Sequence, residues 1–257
     1  MNIFRNLTNL YGMSPVGSTY YHALNTIFRN LPVLANATIY DLAELADVSR
    51  STIWRMVKDM GYEDFTAFRV ALSNGITRYS LYNRSDMGPA TDDLSSVKDS
   101  ILNRLSLLSE DVRAADPAKI EEIADLLHRA GRVSVYSSQR EVQMDSLLQN
   151  LAMSGKSVSY RMLLPEMIAD AAAADENSVA FVHALEFTET LDMEPVLRIL
   201  QKQGCTMISL GVSPDGTLSG YTDLSIFDVL GHAVRIGQFA VPVFLTLINE
   251  LYRGKYL

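Results

Sequence analysis

The sequence predicts a chain of two parts, an all-helical N-terminal domain and a C-terminal α/β domain built on a parallel five-stranded sheet flanked by helices. Three observations carry this. From residue 18 to 78 apolar residues recur at three and four spacing. Beyond about residue 95, short β-rich runs alternate with helical stretches, the order that produces a parallel sheet. Between the two lies "YNRSDMGPATDDLSS", rich in Ser, Asp, Gly and Pro with hardly an apolar residue, which is a linker by composition. The expected boundaries are 1–80, a linker at 81–95, and 96–257.

In the first part the spacing predicts helices at about 19–30, 39–46, 50–60 and 64–78. Thr38 followed three residues on by Asp41 reads as a capping box, with Ile39, Leu42 and Leu45 as the apolar stripe behind it. Ser49 is a good N-cap for the next helix and Gly61 a natural terminator. In the second part the strands are "RVSVYS" (132–137), "KSVSYR" (156–161), "SVAFVH" (178–183), "CTMISLG" (205–211) and "DLSIFDV" (223–229). Helices are expected near 117–130, 140–154, 165–174, 190–203 and 232–253. Ligands of such sheets bind at the carboxyl ends of strands, and "HALEFTET", opening on His183, lies at one.

Composition narrows the function. With 257 residues and 48% hydrophobic content the chain is long enough for two cores. It lacks an N-terminal basic-then-apolar signal, and "FAVPVFLTLI" is half a membrane span, so the expectation is a cytoplasmic protein without a membrane partner. One cysteine, Cys205, forms no internal disulfide and reads as a buried thiol; His22, His128, His183 and His232 lack ligand spacing, so neither metal nor cofactor is expected. The net charge is −8, yet residues 1–80 hold seven Lys and Arg against six Asp and Glu, leaving −9 for the rest. The N-terminal part is therefore not repelled by phosphate.

The helix after Ser49 has two unlike faces. At 100° per residue Ile53, Met56, Val57 and Met60 cluster on one side, and Arg50, Ser51, Trp54, Arg55 and Lys58 fill the opposite arc. Two short helices joined by a tight turn, the second with donors near its N-terminus, form the arrangement that lays a recognition helix in the major groove of double-stranded DNA. Arg bridges guanine O6 and N7, Ser bonds several base edges, and a Lys further along suits phosphate. The DNA-binding set is Ser49, Arg50, Ser51, Thr52, Trp54, Arg55 and Lys58. Against it stands the reading that any amphipathic helix has a charged face, with Trp54 folded over the core or held in a dimer contact.

The stretch "TIYDLAELADVSRSTIWRMVKDMGY", continuing through "GYEDFTAFRVAL", closely resembles the helix-turn-helix of the RpiR/MurR family of bacterial transcriptional regulators. That family's recognition helix typically ends in Leu-Gly-Phe before a Phe-x-x-Phe helix; here the positions are Met60, Gly61, Tyr62, then Phe65 and Phe68. The resemblance implies a C-terminal SIS (sugar isomerase) domain, hence a DNA operator as partner, a small-molecule effector drawn from sugar or amino-sugar metabolism, and a homodimer or homotetramer. A dimer is what two half-sites about 34 Å apart require.

The family's phosphate cradle, a strand followed by Ser-x-Ser-Gly-x-Thr, maps onto His183, Leu185, Glu186 and Thr188, of which only Thr188 matches. A carboxylate where the cradle has Gly opposes phosphate at short range and blocks close backbone approach. The turn after the first strand, "YSSQREVQ", has lost the family's glycines but keeps Ser137, Ser138 and Arg140 as donors. The candidate effector residues are thus Ser137, Ser138, Arg140, His183, Glu186 and Thr188, with a phosphosugar disfavoured. Arg235 matches a family Arg and reads as a packing residue. Two alternatives stay open. One is a SIS-type isomerase with Glu186 or Glu189 as base and His183 as acid; the other is a regulator whose α/β half is only a dimerisation platform.

Overall fold

A computed structural model describes residues 3–77, 93–183, 187–210, 218, 220–226 and 237–257. The chain divides into two compact units, one of Met1–Asn83 with Met162–Glu166 and one of Arg84–Arg161 with Met167–Leu257. Most of the expected linker, and the expected roles of Glu186 and Arg235, lie outside the described residues.

The first unit is helical: α1 (Ile3–Met13), α2 (Thr19–Asn30), α3 (Ile39–Leu45), α4 (Arg50–Asp59) and α5 (Phe65–Thr77). The last four match the expected helices to within a residue or so. The first was not expected, although Ile3, Leu7 and Leu10 form a helical stripe that the structure buries. It packs on α2 and α5. Its approach to α5 depends on Gly75, where an added Cβ would lie 2.5 Å from Ile3 Cγ2. Gly75→Ala is therefore expected to cost ~1–3 kcal/mol by overpacking, measurable as a lower denaturation midpoint at unchanged m-value.

The second unit opens with α6 (Leu94–Ala114) and α7 (Pro117–Arg129). Helix α6 begins inside the expected linker and was not anticipated; its capping Asp93 accepts from the Ser95 and Ser96 N–H groups. Then come β1 (Arg132–Ser137), α8 (Val142–Met153), β2 (Ser157–Arg161), α9 (Leu164–Ala171), β3 (Ser178–His183), α10 (Phe187–Lys202), β4 (Thr206–Ser209), β5 (Leu224–Ser225) and α11 (Gly237–Tyr256). All strands pair in parallel, in the order β2-β1-β3-β4-β5. Val133 and Val135 of β1, Val179 and Phe181 of β3, and Ile208 of β4 face one side, where they form a single core with α7, α8 and α11.

Alternate positions face the other side. There Tyr136 of β1 and Ser159 of β2 donate to Asp170 of α9, and α10 packs on β4. The doubly wound arrangement expected from the sequence is thus present, with helices on both faces. Cys205 is buried, as expected, and burial pushes its thiol up to about 12. Among the described residues no helix is long and apolar enough to cross a membrane, and no His, Cys, Asp or Glu cluster forms a metal-ligand set.

Candidate DNA-reading face and effector site

Local chemistry sets the geometry of α3 and α4. The Thr38 hydroxyl accepts from Asp41 N–H at 3.2 Å and the Asp41 carboxylate accepts from Thr38 N–H at 2.7 Å, completing the expected capping box. These bonds hold the Asp41 carboxyl below its usual value. The turn that follows passes through Asp47 at φ 49°, the left-handed region an Asp tolerates better than most residues. Ser49 then caps α4 by accepting from Thr52 N–H at 3.1 Å. At the far end Gly61 takes φ 90°, its N–H donates to Lys58 C=O, and Tyr62 N–H donates to Val57 C=O. That pair of bonds is a Schellman termination, and it fixes the axis and length of the helix.

The two faces of α4 separate largely as the periodicity predicted. Ile53, Met56, Val57 and Met60 are buried, while Arg50, Ser51, Trp54 and Arg55 are exposed. Thr52 is the exception within the proposed set: it is only 7% exposed, and its hydroxyl lies 2.9 Å from Ser49 Oγ. Its place is in the cap, because the third residue of a helix capped by Ser turns toward that Ser. Lys58 is also engaged, donating to Glu63 C=O and lying 5.3 Å over the Trp54 ring, which itself remains 48% exposed. Trp54 therefore does not fold into the core. Of the expected set, Ser49, Arg50, Ser51, Trp54 and Arg55 are exposed.

In the second unit strand order selects the position of the site. Chain order reverses between β1 and β3, the topological switch point at which open α/β sheets form a crevice beyond the strands' carboxyl ends. Ser137 and His183 are register partners at those two ends. Paired residues of parallel neighbours point the same way, so both side chains reach one face, and Ser137 Oγ lies 3.4 Å from His183 Nδ1. Both residues are buried.

The turn after β1 is tied down by groups that sequence reading passed over. The Tyr160 hydroxyl accepts from Glu141 N–H at 3.1 Å and donates to Gln139 C=O at 2.6 Å, and burial pushes the phenol up to about 12. The Gln139 amide donates to Glu141 Oε1 at 2.6 Å, and the same carboxylate oxygen stands 3.8 Å from His183 Nδ1. Arg140, the expected anion ligand, is already taken: it donates two bonds of 2.9 Å to Asp145 and its guanidinium lies 5.3 Å from the Tyr160 ring centroid. The Asp145 bonds raise the Arg140 pKa, fixing its charge where a carboxylate already answers it. Ser138 is buried beside this turn in the sequence, while Glu186 and the side chain of Thr188 lie outside the described residues. Two of the described anion-binding features, a free guanidinium and a glycine-lined turn, are thus replaced by a paired Arg and two carboxylates.

Comparison with known proteins bears on the first unit. Residues 21–78 match the family described as helix-turn-helix domain, rpiR family. No curated protein matches the chain in sequence. Among solved structures, the chain is similar to the Vibrio vulnificus NanR protein complexed with ManNAc-6P, at 17% identity and TM-score 0.49, covering 98% of this chain and 92% of that one. It is also similar to a putative sugar-phosphate isomerase from Listeria monocytogenes, at 11% identity and TM-score 0.44, covering 64% and 94%. A third is the sugar isomerase domain of an RpiR transcription factor from Sphaerobacter thermophilus, at 14% identity and TM-score 0.41, covering 60% and 89%. The match spans α2 through α5, with the capped turn, the two-faced recognition helix and the glycine termination inside it, so the N-terminal unit is a helix-turn-helix domain of the rpiR family.

Proposed function

We propose that the protein is a DNA-binding transcriptional regulator of sugar or amino-sugar metabolism, whose α/β unit takes a small polar effector at the β1–β3 switch point. The carrying observation is the recognition helix, which is capped at Ser49, ended at Gly61 and exposes Arg50, Ser51, Trp54 and Arg55 opposite a buried apolar face, within a matched helix-turn-helix. Solubility does not require an exposed Trp between two arginines; a surface that bonds base edges and packs against thymine methyls makes use of all three.

The paired Arg140, with Glu141 and Asp145 at the same turn, supports an uncharged or amino sugar over a phosphosugar, because each carboxylate opposes a dianion at short range. The same loss of an anion cradle supports a regulator over a sugar-phosphate isomerase, which must hold its substrate before it can enolise it. Ser137, Ser138 and His183 are the effector's described contacts in this reading, and Glu186 and Thr188, further along the sequence, complete the set. A homodimer follows from reading two half-sites. The effector acts by binding one arrangement of the paired reading heads better than another.

The test uses the full chain and a duplex selected by it from a random library. Arg50→Ala and Arg55→Ala are each expected to weaken binding by ~1–3 kcal/mol and to relax the preference at one base pair. Unchanged binding in both variants removes this assignment of the reading face. Glucosamine, N-acetylmannosamine and their 6-phosphates are then titrated against the complex. A shift in operator affinity with the phosphates alone overturns the effector class, and no shift with any of the four favours the dimerisation-platform reading.

A further inference from the structure

We infer that Tyr40, on the first helix of the helix-turn-helix, is a positioning residue for DNA reading: its exposed ring holds the Arg50 guanidinium in place with every donor still available. This rests on the DNA-reading role proposed above for Arg50 and names a residue outside the recognition helix.

Tyr40 has no role in the core. It is 62% exposed, while its neighbours on α3, Leu42 and Ala43, are the buried ones. Its ring instead meets Arg50 across the turn, with the guanidinium carbon 4.6 Å from the ring centroid. A contact at this range is a cation–π interaction.

The way Arg50 is held differs from that of three other surface arginines. Arg140 is paired with Asp145, Arg198 with Glu194 and Arg253 with Glu250, each at 2.9 Å or closer. Among the described residues no carboxylate pairs with Arg50. An ion pair fixes a guanidinium by occupying its N–H groups and cancelling its charge. An aromatic face fixes it through the ring plane alone, so the five in-plane N–H donors stay directed outward and the charge stays uncompensated. A side chain that must present two parallel donors to guanine O6 and N7 needs that combination.

Position adds to the argument. Arg50 is the first residue of α4, immediately after the Ser49 cap, where the helix N-terminus enters the groove in this class of domain. The second exposed aromatic–cation pair, Trp54 with Lys58, is different in kind. Lys58 also donates to Glu63 C=O, so that cation is already engaged by the helix terminus. Of the two, only Arg50 is held by a ring alone.

Freezing a rotamer-rich side chain before binding saves the cost of ordering it later, which predicts an effect of about 2- to 10-fold on affinity when the ring is removed. The experiment compares the wild-type chain with Tyr40→Phe, Tyr40→Ala, Arg50→Ala and the double variant Tyr40→Ala/Arg50→Ala. The probe is a duplex selected by the wild-type chain from a random library, together with its single-base variants, over a series of salt concentrations. Tyr40→Phe is expected to bind as the wild type does. Tyr40→Ala is expected to bind about 2- to 10-fold more weakly and to discriminate less at the base pair whose preference Arg50→Ala abolishes. Its slope of log K against log salt should be unchanged, and the double variant should bind no more weakly than Arg50→Ala alone.

Additive effects in the double variant overturn the inference. So does a Tyr40→Phe chain as weak as Tyr40→Ala with the salt slope reduced by about one, which makes the hydroxyl a phosphate ligand instead. If the wild-type chain selects no duplex, the DNA-reading role itself fails and this inference with it, an outcome distinct from the other two.

Discussion

Phe68→Ala is expected to cost the N-terminal unit ~3–5 kcal/mol and to abolish operator binding while leaving the α/β unit folded. Phe68 is fully buried in α5, with its ring 5.6 Å from Tyr62 and 5.8 Å from Phe65. These three aromatics follow the Gly61 termination directly, so they couple the end of the recognition helix to the core formed with α1, α2 and α3. Truncation to Ala forfeits the ring's transfer free energy and leaves a cavity whose walls are helices pinned by their own caps, which limits collapse. A helical unit of this size has only ~5–10 kcal/mol in hand, so a large share of it is lost. Hydrogen exchange on the full chain checks the claim. Protection should fall in α1 through α5 and persist in β1 and β3. Loss of protection in both units, or in neither, contradicts it.

What was legible in the sequence divides along the range of the interactions. The capping box at Thr38 and Asp41, the Ser49 cap and the Gly61 stop are each set by bonds between residues close along the chain, and each is present in the structure. Strands β1 and β3 run over the residues expected for them because both are short, mostly buried runs rich in Val and aromatic residues. Ser137 and His183 were each singled out, but their meeting depends on parallel register between strands 46 residues apart, which no local pattern encodes.

Tyr160 read only as a strand residue, and its hydroxyl proves to be the tie for the turn across the β2 edge. Arg140 read as a free cation because its partner Asp145 sits one turn into the following helix. Thr52 was grouped with the reading residues by its nearness to the helix start, where capping geometry turns it inward. Helix α6 is hidden because its apolar residues, Val97, Ile101, Leu105, Leu108 and Val112, begin only after its first turn, which lies in a Ser- and Asp-rich stretch that reads as linker.

Asp170→Ala is expected to destabilise the α/β unit by ~2–4 kcal/mol, below the ~3–5 kcal/mol of a fully buried pair because its arginines keep some water. Asp170 Oδ1 accepts from Arg132 at 2.8 Å and Arg161 at 3.2 Å, and Oδ2 accepts from Tyr136 at 2.9 Å and Ser159 at 3.0 Å. The register of β1 and β2 delivers these donors: Ser134 pairs with Ser159 and Tyr136 with Arg161, so alternate residues of both strands converge on one carboxylate. The Arg132 and Arg161 side chains are 24% and 42% exposed and rehydrate on its removal, whereas the fully buried Tyr136 hydroxyl does not. That buried phenol, left with Ser134 alone, carries part of the cost.

Burial alone would raise the Asp170 pKa, but the bonds from Arg132, Tyr136 and Ser159 together outweigh it and hold the carboxyl below its ordinary value. A depressed folded pKa gives stability that is present above the unfolded value, about 3.9, and is lost as pH falls through the folded one. Wild-type stability should therefore decline on acidification below about pH 4 with a component that Asp170→Ala lacks. The two denaturation midpoints are expected to converge toward low pH, and a gap that stays constant down to pH 2 would remove the carboxylate's charge from the explanation. Because β2 is the edge strand and Tyr160 ties the effector turn to it, loss of this anchor on the opposite face should also weaken effector response. Operator affinity of the N-terminal unit should be unchanged at temperatures where the variant remains folded.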